Sequence, residues 1–440
     1  MLVGAIGAGT LGLATAPLLL RGADLTRLMV SMGVALMLGE IANRAAWLTD
    51  GADGLEFTMN PLPGLFKIGF TGQQNAALYS LVVLFLLFML ARRIAQSPFG
   101  LSLTAIRENR LRADALGIST ARRIVANYAV AAVYAGIAGA LLAQTTAIIS
   151  LDLLEFHRSA DVLLMLIIGG SGYLYGGLIG AAISIVLKDA ISGATPEYWQ
   201  FWIGALLVAL VLIGRALSRG RYQDGPSADV RDGSQGRRGM NAPALEARGL
   251  MRRFGGLVAT DNVSFSGAPG ARQALIGPNG AGKTTLINLL TGIVKPSEGS
   301  VLLGGQDITS LSSSRRVRRG LARTFQINQL FPGMSPAEAI GLAISERHHR
   351  GADFWRVAGR RADIADEIDE LLSRFGLTSE MDRPTHTPPY GKQRLLEIAL
   401  ALACSRGFCC LTSPLPACVR KNAKTFSPRL PRSLMTSRSS

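Results

Sequence analysis

Charged residues are scarce in this chain of 440 residues: Asp, Glu, Lys and Arg make up 17% of it, whereas soluble domains carry about 25%. Together with 48% hydrophobic residues and a positive mean hydropathy, this low charge predicts a protein that lies at least partly in a membrane. Acidic residues are fewer than basic ones: 30 Asp and Glu stand against 46 Lys and Arg, so the formal net charge is +16. In a membrane protein such an excess is typical of cytoplasmic loops, and we therefore do not expect a nucleic-acid partner.

Cysteine is rare as well, and the four cysteines of the chain all lie near its C-terminal end. Cysteines confined to one short stretch cannot form a disulfide framework across the fold. The last His, His386, precedes all of them, so a zinc site is not expected. The four are Cys404, Cys409, Cys410 and Cys418.

Most of the hydrophobicity lies before residue 214, in six runs separated by short charged loops. About 20 apolar residues in a helix cross a hydrocarbon core of about 30 Å, so residues 1–213 are expected to form an α-helical transmembrane domain with about five or six hydrophobic segments. A signal peptide is disfavoured for the first run, because no basic residue precedes it. The runs are Met1–Leu20, Leu28–Leu48, Ala76–Ala91, Ile124–Ile149, Val162–Leu187 and Trp199–Ile213.

Arginines set the expected orientation of these runs. They crowd the loop between the third and fourth runs and follow the sixth, which places both regions in the cytoplasm. Three full crossings between the two regions would put residue 214 on the wrong face. We therefore expect the glycine-interrupted run Val162–Leu187 to be a re-entrant or broken helix. An ordinary Gly-rich helix packed closely on a neighbour is the alternative.

The second half of the chain begins after a composition change. Residues 214–243 lack periodicity and are rich in Gly, Ser, Asp and Arg, which predicts a flexible linker. Met240 stands where a free-standing soluble domain could begin, as expected of a fusion of two once separate polypeptides. We expect the soluble domain to cover residues 244–404.

A phosphate-binding pattern opens this domain. Residues 277–285 read Gly-Pro-Asn-Gly-Ala-Gly-Lys-Thr-Thr and match G-x-x-x-x-G-K-[ST], between a predicted strand at Ala274–Ile276 and a predicted helix. Glycines let backbone N–H groups close around phosphates, and the helix N-terminus adds partial positive charge. The pattern predicts an α/β P-loop domain that binds ATP and Mg²⁺. The predicted ligands are Gly277, Asn279, Gly280, Gly282, Lys283 for the β and γ phosphates, Thr284 for Mg²⁺, and Thr285.

Residues 245–404 resemble the ATPase domain of ABC transporters. Phe254, in RRFGGLVATDNVSF, resembles the aromatic that stacks on adenine, with a plain core Phe as the alternative. Gln326, in LARTFQINQLFPGM, resembles the Gln that touches Mg²⁺ and water. The stretch PPYGKQR at 388–394 resembles the signature motif that closes over the opposite subunit's ATP, although Pro389 and Lys392 replace the family's Ser and Gln. The signature residues implied by this resemblance are Tyr390, Gly391, Lys392 and Gln393.

The motifs RTFQ…LFPGM and YGKQR…LEIALALA most resemble the ATPases of branched-chain amino acid importers, and the membrane half agrees. Residues 97–119 resemble the coupling loop of the permeases in that family, with Arg107, Glu108, Asn109 and Gly117 in matching positions; a merely solvated charged loop is the alternative. The resemblance implies a fused permease and ATP-binding chain, N-terminally incomplete in its permease part. It further implies the bacterial plasma (inner) membrane as its location, with the ATPase in the cytoplasm.

The resemblance also implies partners and a cargo. A second permease subunit, a second ATP-binding subunit and a periplasmic substrate-binding protein that delivers Leu, Ile or Val are expected. Urea, short amides or another small polar solute are the alternative cargo, because their permeases look alike.

The family's catalytic strand, which ends in Asp-Glu, and its switch His are missing from the C-terminal end: the last acidic residue is Glu397 and the last His is His386. With GC-rich codons, triplets that start at the last base of the Leu411 codon read Asp-Glu-Pro-Ala-Ala-Gly-Val, as in the family. We therefore expect residues 405–440 to be an out-of-frame, disordered tail. Gln326, as a contact to water and Mg²⁺, is then the only candidate catalytic residue, and impaired ATP hydrolysis is expected; a non-functional truncated product is the alternative.

Overall fold

The computed structural model describes residues 1–19, 24–45, 47, 55–56, 73–146, 148–170, 172–194, 198, 201–202, 204–205, 208, 244–269, 271, 273–278, 280–325, 329–359, 361–404 and 408–410. It divides into two compact units. The first comprises Met1–Arg92 and Ile124–Gln235, and the second comprises Arg93–Arg123 and Gly236–Ser440. The second unit thus takes a segment from the apolar half of the sequence.

The regular elements are as follows. The helices are α1 (Leu2–Leu19), α2 (Asp24–Arg44), α3 (Gln73–Ala95), α4 (Pro98–Glu108), α5 (Arg110–Ala115), α6 (Thr120–Thr146), α7 (Phe156–Gly169), α8 (Gly176–Ala194), α9 (Lys283–Thr291), α10 (Ser313–Arg318), α11 (Pro336–Arg347), α12 (Ala362–Arg374) and α13 (Tyr390–Cys404). The strands are β1 (Leu55–Glu56), β2 (Ile148–Ile149), β3 (Leu245–Phe254), β4 (Leu257–Gly267), β5 (Glu298–Leu303), β6 (Gln306–Asp307), β7 (Leu321–Arg323) and β8 (Phe408–Cys410), and 3₁₀ turns occupy Leu151–Leu154 and Thr378–Glu380.

Long apolar helices dominate the first unit. Among the described residues, three are long and apolar enough to cross a membrane: Ala76–Ala95 of α3, Thr120–Thr146 of α6 and Gly176–Gly193 of α8. The shorter apolar stretch Leu2–Leu18 lies in α1. The predicted run Trp199–Ile213 falls largely outside the described residues. The helical class predicted for this half is confirmed.

The glycine-interrupted run is broken, as predicted. Helix α7 ends directly before Gly170, whose φ is +84°, and α8 starts six residues later. The two helices pack so closely that a Cβ at Gly180 would overlap the carbonyl oxygen of Met165. Farther along the same faces, the Lys188 ammonium lies 2.6 Å from the Asp161 carboxylate. The run therefore shows both features: a break between two helices, and the close packing at glycine that was expected of an unbroken Gly-rich helix.

An antiparallel sheet opens the nucleotide-binding half, with strand order β4-β3-β5-β6. Leu245 of β3 pairs with Gly267 of β4 on one side and with Leu303 of β5 on the other. Alternate side chains of β3 point inward, as expected of a strand with one buried face. They pack with α9 in a small apolar core that contains Leu245, Ala247, Leu250, Leu286, Leu289, Val301 and Ile308.

A second apolar core joins the remaining helices of this unit. It contains Phe331, Met334, Ile340 and Leu400, together with Ala105, Ala113, Leu116 and Ile118 from the segment before α6. Helix α11 starts with a capping box: Ser335 Oγ accepts from the Glu338 N–H at 3.2 Å, and Glu338 Oε2 accepts from the Ser335 N–H at 2.9 Å. Two of the free N–H groups at this helix end are thereby satisfied.

A buried arginine closes the C-terminal end of α9. The Arg316 guanidinium donates to the carbonyls of Leu289 at 2.8 Å and Leu290 at 2.6 Å, and also to Thr309. A cation there is favoured by the negative end of the helix dipole. Burial lowers the pKa of Arg316 to about 10, against the attraction of Asp307, so the side chain stays charged at neutral pH.

The strand predicted at Ala274–Ile276 is wrong. The segment is irregular, and the side chains of Leu275 and Ile276 are 49% and 79% exposed. The physical reason is that so short a strand persists only where neighbouring strands accept its hydrogen bonds and cover its faces. Among the described residues, none pairs with it.

Strand β8 lies beyond the domain boundary expected at residue 404. Phe408–Cys410 pairs in parallel with Leu321–Arg323, so ordered backbone reaches into the segment 405–440 that was expected to be a disordered tail. Three consecutive apolar residues next to the free edge of β7 explain the pairing, because edge strands present unpaired N–H and C=O groups.

We expect Gly292→Ala to lower the free energy of unfolding of the second unit by about 2 kcal/mol. Gly292 has φ +74°, and an added Cβ would lie 2.7 Å from Arg316 Nε, so left-handed backbone strain adds to weakened hydrogen bonds. Thermal unfolding of the full-length protein in detergent measures the effect. Gly256→Ala is the control, because its added Cβ meets no atom within 4 Å; equal midpoints for the two variants would contradict the prediction.

Candidate functional site

In the phosphate loop, residues 277–285, the structure describes every residue except Asn279. Gly280 and Gly282 lie at φ +87° and +75°, and Gly282 is the N-cap of α9. A side chain at Gly282 would overlap the carbonyl oxygen of Ala259, so only glycine fits there. The first N–H groups of α9 have no partner within the helix and carry its positive dipole end. An anionic group is therefore favoured at this point.

Lys283 brings a full charge to the same loop. Its ammonium donates to the carbonyls of Gly277 at 2.6 Å and Pro278 at 2.7 Å. Thr284 is exposed in the first turn of α9, and Thr285 is half-buried. Glycine backbone, ammonium and hydroxyl thus lie together within one short stretch.

Strand β3 ends at Phe254, directly before the two-glycine turn Gly255-Gly256. The Phe254 ring is 46% exposed, so it is not a core residue, and the Arg252 guanidinium stacks over it at 4.5 Å from the ring centroid. An exposed aromatic face of this kind can stack on a planar ring.

Two predicted ligands, Asn279 and Gln326, lie outside the described residues. Within the described ranges no group of three or more His, Cys, Asp or Glu side chains could hold a metal ion. The described residues therefore fit the phosphates of a nucleotide, and for Mg²⁺ they offer the Thr284 hydroxyl.

The signature residues lie at the start of α13, which begins with the exposed Tyr390. Gln393 donates through Nε2 to the Pro388 carbonyl at 2.9 Å, and Gly391 is exposed. The Lys392 ammonium lies 2.7 Å from Glu380, and this hydrogen bond is the main cause that lowers the pKa of Glu380. Lys392 is thus engaged within its own chain.

The segment Arg93–Arg123, hereafter the coupling segment, packs within the second unit. Glu108 accepts from the Gly333 N–H at 3.1 Å, and Asn109 Nδ2 donates to Gln329 at 2.6 Å. Burial raises the pKa of Glu108, against the opposing Gly333 hydrogen bond. Gly117 is buried with φ +90°, whereas Arg107 is exposed. Of the four residues singled out by sequence, three are therefore buried or bonded there.

The strongest ionic contact of the coupling segment was missed by the sequence analysis. Arg123 and Glu346 form an ion pair of 2.6 Å, with side chains only 8% and 4% exposed. Arg318 adds a second cation 3.5 Å from the same carboxylate. In the sequence Arg123 is one of several arginines in a loop expected to be cytoplasmic, and the one signal for a buried partner is Glu346, which follows the buried Leu342 and Ala343 by one helical turn near the end of α11.

A second buried pair, Arg394 and Glu397, holds the backbone beside Gln326. Glu397 accepts from the Phe325 N–H at 2.5 Å, and Arg394 donates to the Phe325 carbonyl at 2.6 Å. The two side chains also pair with each other. The residue that precedes Gln326 is therefore fixed by α13.

The Phe325 ring also contacts two further arginines. Arg112 of the coupling segment lies 5.7 Å from its centroid, and Arg323 lies 4.5 Å from it. Arg323 in turn donates to Asn288 at 2.8 Å and Thr291 at 3.0 Å in α9. Direct contacts therefore connect the coupling segment with the helix that starts at the phosphate loop.

Comparisons with known proteins identify the families that the two halves of the chain match. Residues 1–211 match the family described as branched-chain amino acid transport system, permease component, and residues 260–415 match the ABC transporter family. The chain is 36% identical over 190 residues to LivG of Escherichia coli K12, a high-affinity branched-chain amino acid transport ATP-binding protein, covering 42% of this chain and 74% of the relative. With BraF of Pseudomonas aeruginosa, named likewise, it shares 37% over 169 residues, or 36% of this chain and 65% of the relative.

A solved ATP-binding cassette of an ABC transporter is 29% identical, with a TM-score of 0.33, and the match covers 37% of this chain and 66% of that one. The family assignment rests on the sequence matches of both halves. The chain belongs to the branched-chain amino acid transport family of ABC transporters, with a permease component and an ATP-binding component in one polypeptide.

Proposed function

We propose that this chain is the permease and ATP-binding subunit of an importer for branched-chain amino acids in the bacterial plasma membrane, with its ATP-binding part in the cytoplasm. The observation that carries the proposal is the coupling segment. Residues 93–123 lie within the permease match and yet share a core with the ATP-binding part. A segment that belongs to both halves is what a transporter needs to link nucleotide binding to the permease.

In the proposed site the phosphate loop binds ATP. Lys283 contacts the β and γ phosphates, the N–H groups of Gly280 and Gly282 surround them, and Phe254 stacks on adenine. Thr284 and Gln326 would hold Mg²⁺, which when bound neutralises phosphate charge. Tyr390, Gly391, Lys392 and Gln393 would face the ATP of a second ATP-binding subunit. The further proposed partners are a second permease subunit and a periplasmic binding protein.

Hydrolysis is proposed to be impaired in this chain. No Asp or Glu follows Glu397, so the carboxylates that would complete the Mg²⁺ shell and orient the attacking water are lacking. We attribute this to a one-base shift that leaves the chain out of frame from about residue 405. The domains are proposed as a permease at 1–213, a linker at 214–243, an ATP-binding domain at 244–404, and an out-of-frame tail at 405–440.

We expect the full-length protein to bind ATP and Lys283→Ala to weaken that binding at least about tenfold, because the ammonium forms charge-assisted bonds with phosphate. Equilibrium binding of a fluorescent ATP analogue measures it. Lys295→Ala removes an exposed lysine of the same part of the chain and should bind like the parent. Equal affinity of the two variants would contradict the assignment of the phosphate loop.

We expect a repaired chain, with Asp-Glu-Pro-Ala-Ala-Gly-Val and the shifted frame from residue 412 onward, to hydrolyse ATP at least about 100-fold faster than the present chain. A positioned general base contributes about 10²–10⁴ in rate. Phosphate release by both proteins, at matched nucleotide occupancy, measures the ratio. Comparable rates would show that the present C-terminal sequence is catalytically sufficient, and failure of both chains to assemble with partner subunits would favour a non-functional product.

Arg123→Ala should loosen the coupling segment, because it removes the closest cation of the buried Glu346 and leaves only Arg318 at 3.5 Å; the cost is at most about 3–5 kcal/mol, the range for a buried charge with no partner left. A protease site inserted after residue 225 allows the two halves to be separated after cleavage. We expect the cleaved parent halves to co-purify and the cleaved variant halves to dissociate more readily. Arg122→Ala is the matched control, since Arg122 is exposed; equal dissociation of the two variants would refute the role of the pair.

A further inference from the structure

A basic cavity lies at the beginning of the coupling segment, remote in sequence from the phosphate loop. Its volume is about 300 Å³, within the size range of small-ligand sites. Four arginines line it, Arg93, Arg350, Arg356 and Arg361, and Asp353 is the one acidic lining residue. The formal charge of the lining is therefore +3, which favours an anionic occupant.

The hydrogen bonds around the cavity leave part of this charge available. Asp353 accepts from the N–H groups of Trp355 at 2.9 Å and Arg356 at 3.1 Å, so its carboxylate is engaged in the local turn. Arg350 pairs with Asp363 at 3.0 Å outside the lining. Within the described ranges, neither Arg356 nor Arg361 forms a direct ion pair, although both lie near enough to Asp353 to attract its carboxylate. The guanidinium groups of Arg356 and Arg361 can thus bind an anion in the cavity.

The surroundings of the cavity indicate where the anion comes from. Arg93 lies two residues before the end of α3, whose stretch Ala76–Ala95 is long and apolar enough to cross a membrane. The Arg93 guanidinium donates to the Trp355 carbonyl at 2.5 Å. The Phe354 and Trp355 side chains are 56% and 61% exposed. Arginines and exposed aromatic rings at the end of a span are typical of the membrane interface.

We propose that this cavity binds a phosphate-bearing anion, supplied by the headgroup of an anionic phospholipid. Arg356 and Arg361 contact the phosphate, Arg93 anchors the site to the span, and Phe354 and Trp355 lie against the acyl and glycerol region. Guanidinium groups suit this role because their planar donors bind phosphate oxygens in pairs. The site differs from the nucleotide site in residues and in ligand.

The test uses the full-length protein in a neutral detergent and two soluble short-chain lipids, phosphatidylglycerol and phosphatidylcholine. We expect phosphatidylglycerol to bind at least about tenfold more tightly, since each basic residue near an anionic lipid contributes several-fold. Arg356→Gln with Arg361→Gln should abolish this preference, and Arg356→Lys with Arg361→Lys should keep part of it. Arg315→Gln with Arg319→Gln, two exposed arginines elsewhere in the ATP-binding part, should leave it unchanged.

Each alternative outcome overturns the proposal. Equal affinity for the two lipids excludes an anionic headgroup site. A similar loss in the control variant means that net charge, and not this cavity, attracts the lipid. Displacement of phosphatidylglycerol by inorganic phosphate, but not by chloride at the same ionic strength, assigns the cavity to free phosphate instead. Binding of the fluorescent ATP analogue by each variant verifies that a lost preference does not reflect unfolding.

Discussion

The cost of burying charge is the constraint on which the second unit depends. A guanidinium or carboxylate removed from water is stable only when an opposite charge and hydrogen bonds replace the lost hydration. Arg123 of α6 and Glu346 of α11 are each other's closest opposite charge although they lie 223 residues apart in sequence, and Arg318 is a second cation for Glu346. Because loss of either partner leaves the other buried without its closest counter-charge, the coupling segment is a structural part of the ATP-binding unit and not a loop resting on it.

The same requirement orders the region beside Gln326. Glu397 and Arg394 neutralise each other and together bind both backbone groups of Phe325. With its backbone fixed, the Phe325 ring lies within cation–π distance of both Arg112 and Arg323. Linkage between two sites needs a structural element that both of them contact. Phe325 is such an element by position, since one arginine comes from the coupling segment and the other binds α9.

Local features of this structure could be predicted from sequence, and nonlocal ones could not. The loop glycines and the start of α9 follow from the motif, and the break at Gly170 follows from glycines that favour positive φ. The ion pair of Arg123 and Glu346 joins residues that no local pattern relates, and the Arg316 cap depends on where α10 packs. The strand expected at Ala274–Ile276 failed for the same reason: its sequence is suitable for a strand, but strand formation is decided by neighbours.

The phosphate loop keeps its glycine conformations although no strand forms at Ala274–Ile276. The conformation of the loop is set within a few residues, by Gly280, Gly282 and the carbonyl contacts of Lys283, and α9 is anchored by its own core contacts and by Arg316. None of these needs a strand at Ala274–Ile276. Phosphate binding depends on these local groups, whereas hydrolysis also needs carboxylates from a distant strand and contacts from an opposite subunit. The two requirements are therefore physically separate: the groups that contact phosphate are local to the loop, and the groups that activate water come from elsewhere.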